Sequence, residues 1–317
     1  MPFRVVPFEA GHVPAAARMF VDALDELRRR VPVLPADLAN VEVVGPRLEP
    51  MRGFAALEGK RLVGYLTAWF PLERFRGADR VAAYAPEWAH GATGARAAAV
   101  ANALYRSASA AWSEAGCDTH AITLLAGDAG AVDTWVWSGF GMGTVDGIRP
   151  VEPLGTPSPS GYEVRMAMAA DALALASLDV EHQRHYSDPP MFMAPRQADD
   201  PSAWARFIET PGDAAWLAAD AGGPFGFMRF TGDFNASAVV ESADGIFISG
   251  AYVRPGARRR GAGTALLDAA LRHYAAAGAT SCAVDFEAFN PEAAVFWPRH
   301  FTTVCISLIR VPEWPIA

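Results

Sequence analysis

Hydrophobic and polar positions in the second half of the chain follow a regular order of strand and helix periods. The runs that alternate or are continuously apolar, and so are predicted as strands, are residues 162–167, 214–219, 225–230, 246–253, 281–286 and 303–310. A helix is predicted to start at Asp171, with an apolar face made of Leu173, Leu175, Leu178 and Val180. Further helices are predicted at 262–277, which Gly278 would end, and after Pro291. The first half shows a similar order, so the fold class is predicted as α+β, with a mixed, mostly antiparallel sheet flanked by helices.

The chain repeats itself at an offset of 162 positions. Gly116 corresponds to Gly278, and Asp128 corresponds to Asn290, at this spacing. Ala121 and Ala283, Leu104 and Leu266, and Trp135 and Trp297 share the same offset. A constant offset over a helix, a glycine, a strand and a second helix predicts two homologous domains in tandem. The predicted first domain spans 1–150, a linker rich in Pro, Gly and Ser spans 151–161, and the second domain spans 162–317.

Composition and charge restrict the range of functions. The chain has 317 residues, 51% of them hydrophobic, and a formal net charge of −8. An acidic chain is a poor general binder of nucleic acid, because that affinity comes mostly from neutralised phosphates. No apolar run is long enough to span a bilayer, and the start of the chain lacks the pattern of a signal peptide. Cys117, Cys282 and Cys305 form no CxxC pair, so we expect neither disulfides nor a metal site. We therefore expect a cytoplasmic protein that binds neither nucleic acid nor membranes.

One segment carries strong chemistry, the sequence VRPGARRRGAG at 253–263, which joins a predicted strand to a predicted helix. Gly261 and Gly263 permit close approach of the backbone to a ligand. The unpaired amides of the first helical turn and the helix dipole favour an anion at this place. Arg258, Arg259 and Arg260 add positive charge there. The segment therefore predicts a site for a pyrophosphate on an otherwise acidic protein.

Two motifs in the second domain resemble a known family. Arg258-x-x-Gly261-x-Gly263, after a strand that ends in Ala251-Tyr252-Val253, resembles motif A of the GCN5-related N-acetyltransferases (GNAT). The run from Asn290 to Trp297, NPEAAVFW, is similar to the family's second signature. The resemblance implies a tandem member of this superfamily, with acetyl-CoA as co-substrate and no metal.

The resemblance also implies which residues bind acetyl-CoA. The backbone of Ala251 and Val253 would pair with pantetheine and polarise the thioester carbonyl. Asn290 would form a hydrogen bond near the thioester. The full set implied for acetyl-CoA binding is Ala251, Tyr252, Val253, Arg258, Arg259, Arg260, Gly261, Ala262, Gly263, Thr264, Asn290, Ala293, Phe296 and Trp297.

The chain departs from the family pattern at the two positions that usually carry acid–base groups. Phe247 stands where many members have a Glu, and Trp297 stands where many have a Tyr. Substitute catalytic residues are therefore predicted. Glu287 on the strand before Asn290, and His185 and Tyr186 after the first helix of the second domain, are the candidates.

The first domain is predicted to lack the co-substrate. At the 162 offset, Gly261 and Gly263 correspond to Ala99 and Ala101 in GARAAAVANAL, and Asn290 corresponds to Asp128. The Cβ atoms of alanine obstruct the close backbone approach that a diphosphate needs. The first domain is thus expected to keep the fold without acyl-CoA.

The predicted function is acetyl transfer from acetyl-CoA to a primary amine of a small molecule by direct attack. Two alternatives stay open: a protein that binds or senses acyl-CoA without catalysis, and an acetyltransferase of proteins or peptides. The oligomeric state is expected to be monomer or homodimer, since two fused copies can satisfy within one chain what relatives achieve by dimerising.

Overall fold

A computed structural model describes residues 3–156, 160–234 and 236–313. The strands are β1 Arg4–Pro7, β2 Arg52–Glu58, β3 Arg61–Leu72, β4 Ala82–Ala85, β5 His90–Ala92, β6 Thr119–Leu125, β7 Gly141–Pro150, β8 Glu163–Met166, β9 Ala214–Asp220, β10 Gly223–Thr231, β11 Gly245–Val253, β12 Ser281–Glu287 and β13 Thr302–Arg310. The helices are α1 Val13–Arg30, α2 Val41–Leu48, α3 Ala97–Glu114, α4 Ala129–Trp137, α5 Ala172–Ser187, α6 Pro201–Glu209, α7 Ala262–Ala276 and α8 Pro291–Phe296. The predicted α+β class, with mostly antiparallel sheets flanked by helices, is confirmed.

The chain folds into two compact units, and neither is continuous in sequence. The first unit contains Met1–Gly147, Ser237–Val240 and Phe286–Ala317. The second unit contains Ile148–Ala236 and Glu241–Asp285. The C-terminal segment thus belongs by its contacts to the unit that begins the chain. The sequence-based boundaries at 150 and 162 stay a prediction about the repeat.

The sheet of the first unit contains the last strand of the chain. Its strand order is β1-β2-β3-β4-β6-β13-β7, and β5 pairs with β3 beside this path. β4 and β6 are parallel, whereas β13 runs antiparallel to β6 with Cys305 opposite Leu125. The strand from the second sequence repeat therefore completes the sheet of the first unit. Nothing in the local sequence of β13 specifies this pairing.

The sheet of the second unit has the order β8-β9-β10-β11-β12. The pairs from β8 to β11 are antiparallel, and β11 with β12 is parallel. The parallel register ends at Ile248 opposite Val284, although β11 continues to Val253. Between β10 and β11 the register shifts, because Arg229 faces Gly250 and Phe230 faces Ile248. Ser249 is therefore the extra residue of a β-bulge, a feature that is common next to functional sites.

Corresponding elements of the two repeats share local details as well as sequence. β6 and β12 start 162 positions apart and end 162 positions apart. Gly116 and Gly278 both have left-handed backbone, with φ of 80° and 88°, just after a helix. Asp128 and Asn290 each accept a backbone N–H at the start of the next helix. The predicted tandem repeat is thus present element by element.

The buried face of α5 differs from the predicted one. Leu175 and Leu178 are buried as expected, but Leu173 and Val180 are exposed, so that part of the prediction is wrong. The inner face instead continues through Asp179 and His182, both buried. These positions follow the i, i+3, i+4, i+7 spacing of a helix stripe from Leu175. A polar pair therefore replaces the leucine stripe towards the end of this helix.

The described part of the predicted linker is anchored to α7. The carboxylate of Asp268 accepts hydrogen bonds from the amide of Leu154 at 2.6 Å and from that of Thr156 at 3.1 Å. Burial alone would raise the pKa of Asp268, but the hydrogen bonds of Thr156, Arg272 and Leu154 hold it below its ordinary value. Pro157–Pro159 of the predicted linker lies outside the described residues. No helix of the described residues has the length and apolar character that crossing a membrane requires.

Two buried carboxylates of the first unit hold the short segment Ser237–Val240. Asp146 accepts hydrogen bonds from the amide of Ser237 at 3.1 Å and from its hydroxyl at 2.7 Å. Glu87 accepts one from the amide of Val239 at 3.2 Å. Burial raises the pKa of Glu87 to about 7, and the nearby Asp146 carboxylate acts in the same direction.

Glu87 is expected to make the stability of the protein fall as the pH rises. Its raised pKa means that the folded chain keeps a proton that the unfolded chain loses near pH 4.5. The stabilisation from this proton is complete below about pH 4.5 and is lost as the pH rises through about 7. Glu87→Gln should remove this dependence, which is worth about 3 kcal/mol, because the pKa rises from 4.5 to about 7 and each pKa unit is worth about 1.4 kcal/mol. Thermal unfolding at pH 5 and pH 8 measures it, with the exposed Glu114→Gln as control. Equal pH dependence in wild type and Glu87→Gln would contradict the expectation.

Candidate active site

The loop between β11 and α7 has the backbone that the sequence predicts for an anion site. Gly261 is the N-cap of α7 with φ of 80°, and Arg259 before it is also left-handed with φ of 63°. No side chain caps this helix end, so the amides of its first turn point out of the helix without a capping partner. The loop therefore presents backbone donors, and the residues present fit a diphosphate.

The arginines of this loop do not all serve as free positive charges. Arg258 donates from its Nε to the carbonyl of Val253 at 2.9 Å, which ties the loop to the end of β11. Arg260 lies 3.5 Å from the carboxylate of Asp220 and stacks over Tyr162. The guanidinium groups therefore shape the loop as well as adding charge to it.

The outer half of β11 has one free edge within its own unit. Ala251, Tyr252 and Val253 pair with Met228, Phe227 and Gly226 of β10. On the opposite side, the parallel register with β12 ends at Ile248 among the described residues. Backbone groups along 249–253 are thus available on that side to an extended ligand such as the pantetheine arm.

A histidine–carboxylate pair on α5 faces the bulge of β11. Nδ1 of His182 lies 3.4 Å from Oδ1 of Asp179. Asp179 also accepts hydrogen bonds from the side chain of Gln183 and from the amide of Asp199, at 3.2 Å and 2.8 Å. Burial acts to raise the pKa of Asp179, but these hydrogen bonds together hold it below its ordinary value. A carboxylate at Nδ1 keeps the proton on that nitrogen and leaves Nε2 as an acceptor.

A cavity of about 90 Å³ lies beside this pair in the second unit. Its lining consists of Asp179, His182, Gln183, Gln197, Asp199, Trp204, Phe227, Arg229, Ser249 and Gly250. A Cβ placed on Gly250 would lie 3.7 Å from Cε1 of His182, so the imidazole sits directly over the strand. The cavity therefore joins the helix α5, the bulge and β10 around one polar space.

Residues 180–301 match the family "Acetyltransferase (GNAT) family". The match includes β11, the loop at Gly261 and the turn at Asn290. Residues 180–301 form a GNAT-family acetyltransferase domain. The predicted membership in this superfamily and the predicted N-acetyltransferase class are confirmed.

Solved structures show the same fold for the whole chain. A GCN5-related N-acetyltransferase from Sphaerobacter thermophilus is 15% identical with a TM-score of 0.54, covering 99% of this chain and 98% of that one. The glucosamine N-acetyltransferase region of a fungal multi-domain GH3 β-N-acetylglucosaminidase is 12% identical with a TM-score of 0.55, covering 97% of this chain and 38% of that one. A tandem GNAT protein from the clavulanic acid biosynthesis pathway is 17% identical with a TM-score of 0.45, covering 99% of this chain and 100% of that one. Among curated proteins, none matches the sequence.

The predicted catalytic residues of the GNAT domain lie in different surroundings. Glu287 is mostly buried, and its Oε1 lies 3.3 Å from the guanidinium of Arg76 within the first unit. His185 and Tyr186 are half-buried near the end of α5. The ring of Tyr186 packs on His182 with centroids 4.9 Å apart, and that of His185 lies 6.5 Å from Tyr252. All three stay candidates for acid–base roles.

The predicted residues of the second signature have clear structural functions in the first unit. Oδ1 of Asn290 accepts from the amides of Glu292 and Ala293, each at 3.2 Å, and so caps α8. Trp297 is buried and packs against Phe296 and Phe301. The proposed contacts of Asn290, Ala293, Phe296 and Trp297 with acetyl-CoA stay predictions.

The first unit has a cavity of about 320 Å³ at the place that corresponds to motif A. Ala97, Ala98 and Ala101 line it, as does Asp128, whose carboxylate caps α4. The described residues that line it include neither Lys nor Arg. That the first repeat does not bind acyl-CoA stays a prediction.

The sequence analysis does not predict His182 and Asp179 as site residues, because it places Leu173, Leu175, Leu178 and Val180 on the buried face of their helix. A signal was available, since both fall on the stripe that continues from Leu175. A histidine and an aspartate three positions apart on an inward stripe indicate a buried polar pair.

Proposed function

We propose that the protein transfers the acetyl group of acetyl-CoA to a primary amine of a small molecule, by direct attack of the amine on the thioester. The observation that carries this proposal is the cavity of about 90 Å³ beside the bulge of β11, with the His182–Asp179 pair in its wall. Its small volume favours a small molecule over a peptide. The family and the fold supply the reaction class.

Residues of the second unit account for acetyl-CoA binding in this proposal. The amides from Arg259 to Thr264 would hold the diphosphate at the start of α7. The free edge of β11 at Ala251, Tyr252 and Val253 would pair with pantetheine. Acetyl-CoA supplies an activated acetyl group, and the chain supplies orientation, amide donors and a base.

His182 is the base in this proposal. A primary amine is mostly protonated at neutral pH, and it attacks only after losing a proton. Nε2 of His182 takes that proton, and Asp179 at Nδ1 stabilises the resulting imidazolium. The amine nitrogen then forms the C–N bond, the C–S bond breaks, and the thiolate of CoA takes up a proton, while the nitrogen gives up its second proton to the group that protonated the thiolate. Tyr186, whose ring packs on His182, is proposed as the source of that proton, with His185 as the alternative.

One observation favours the non-catalytic alternative. Phe247, at the position where many members have a glutamate, is fully buried in the core and only 1% exposed. β11 therefore offers no carboxylate at the usual place. A protein that binds acetyl-CoA without turnover is consistent with that feature alone.

Thiol release from acetyl-CoA in the presence of a panel of primary amines separates the two functions. The proposal predicts amine-dependent release of free CoA, and an N-acetylated product of the corresponding mass. Tight acetyl-CoA binding in calorimetry, with no amine raising the rate above hydrolysis, would support the binding protein instead. Release that occurs only with peptide amines would support the peptide acetyltransferase.

A further inference from the structure

Unsatisfied polar atoms are concentrated at the cavity beside His182. Among the described residues, five buried side-chain polar atoms lack a hydrogen-bond partner. Three of them, Nε2 of His182, Nε1 of Trp204 and Nε of Arg229, belong to side chains that line this one cavity. A buried donor without a partner costs the free energy of its lost hydration. Their concentration in one place indicates that a ligand supplies the missing partners.

The unsatisfied groups differ in what they require. The indole N–H of Trp204 and the Nε–H of Arg229 only donate, so each requires an acceptor atom. Nε2 of His182, with Asp179 at Nδ1, requires a donor such as an amine. Trp204 is 1% exposed and His182 is 6% exposed, so bulk water does not reach either ring freely. A molecule with an amino group at one end and an oxygen at the other meets these requirements.

The charges around the cavity disfavour a carboxylate as that oxygen. Asp179 and Asp199 contribute two negative charges to the lining, against one positive charge from Arg229. Arg229 is itself paired with Asp199 at 2.8 Å and lies over the ring of Phe207 at 3.9 Å. An anionic ligand would therefore meet net repulsion, whereas a cationic amine with a neutral oxygen would be attracted.

We infer that the acceptor is a small primary amine with a neutral oxygen, a hydroxyl or a carbonyl, bound to Trp204 and Arg229 while its amino group faces His182. This inference rests on the proposed function and names the substrate class of the same site. The volume of about 90 Å³ is small beside the roughly 300–1,000 Å³ of sites for drug-sized ligands, so a short amine, or the amine-bearing end of a longer one, is bound here.

Four amines of nearly equal size test the inference. Ethanolamine and glycinamide carry a neutral oxygen, n-propylamine carries none, and glycine carries a carboxylate. We expect kcat/KM for acetyl transfer to ethanolamine and glycinamide to exceed that for n-propylamine by about tenfold or more. Glycine should be slower than both oxygen-bearing neutral amines. An equal or higher kcat/KM for n-propylamine or glycine would overturn the inference.

Variants at the cavity connect the preference to these residues. Trp204→Phe keeps an aromatic ring but removes Nε1–H, so the ratio of kcat/KM between ethanolamine and n-propylamine should fall severalfold. Trp216→Phe is the matched control, because Trp216 is equally buried in the same unit but does not line the cavity. An unchanged ratio in Trp204→Phe, or an equal fall in both variants, would overturn the assignment.

A second variant, Gly250→Ala, reduces the volume of the cavity without straining the fold. The added methyl group of Gly250→Ala would lie at 3.7 Å or more from His182, Phe227 and Arg229, which is ordinary contact. The KM for ethanolamine should rise severalfold, while calorimetric affinity for acetyl-CoA stays the same. An unchanged KM would contradict the placement of the amine in this cavity.

Failure of the inference and failure of the proposed function give different results. Acetylation of all four amines without preference would support the proposed acetyl transfer but reject a site for a neutral oxygen at Trp204 and Arg229. If none of the four is acetylated with any acetyl-CoA concentration, the transferase proposal fails for this class. Calorimetric titration of the same four amines then decides the oxygen site alone, and binding of ethanolamine no tighter than n-propylamine rejects it.

Discussion

Replacing His182 with glutamine is expected to lower kcat of acetyl transfer by about two to three orders of magnitude. Glutamine keeps a polar side chain of similar length but takes no proton near neutral pH. Because His182 faces the amine cavity and not the α7 loop, the affinity for acetyl-CoA should be unchanged. Thiol-release kinetics give kcat, and calorimetry gives the dissociation constant.

The same substitution in neighbouring acid–base candidates provides the control. His185→Gln changes the same residue type one turn further along α5, and Glu287→Gln tests the carboxylate paired with Arg76. A kcat in His182→Gln equal to that of wild type, or a larger loss of kcat in His185→Gln or Glu287→Gln, would show that another residue is the base. Thermal unfolding of His182→Gln and of a second variant, His182→Asn, shows whether a loss of kcat comes from a loss of folded protein.

Alanine at Gly261 and Gly263 together is expected to weaken acetyl-CoA binding by about ten- to a hundredfold. Gly261 has φ of 80°, a conformation that costs an L residue about 1–2 kcal/mol. The added Cβ atoms would also stand where the amides of the loop approach the diphosphate. Calorimetric titration of acetyl-CoA measures the loss directly.

Gly256→Ala is the matched control in the same loop. A Cβ at Gly256 meets nothing within 4 Å, and its backbone is outside the left-handed region. Its affinity for acetyl-CoA should equal that of wild type. Unchanged affinity in the Gly261→Ala, Gly263→Ala double variant would reject the placement of the diphosphate at the start of α7.

Local features of the fold could be predicted from the sequence because they depend on neighbouring residues. Gly261 and Gly278 mark the two ends of α7, and Asn290 marks the start of α8, as the sequence indicates. The 162 offset predicts the repeat because the same turn chemistry recurs at the same spacing. The motif at 258–263 predicts the loop backbone for the same reason.

Features that depend on distant pairing could not be predicted. β13 follows α8 in sequence, yet it pairs with β6 in the sheet of the first unit. Its apolar positions suit any sheet, so the pattern does not indicate which strand it pairs with. The surroundings of the His182–Asp179 pair could not be predicted for the same reason. The cavity beside the pair is formed by the bulge at Ser249 and by Trp204 and Arg229, which lie far away in sequence.

A crystal structure with coenzyme A bound would show directly whether the second unit holds the co-substrate. We expect the diphosphate on the amides that follow Arg258, and the pantetheine arm along the free edge of β11 from Ser249 to Val253. Its sulfur should lie near the cavity that His182 lines. Coenzyme A bound only in the cavity of the first unit, or a second unit that stays empty at saturating ligand, would rule out this placement of coenzyme A.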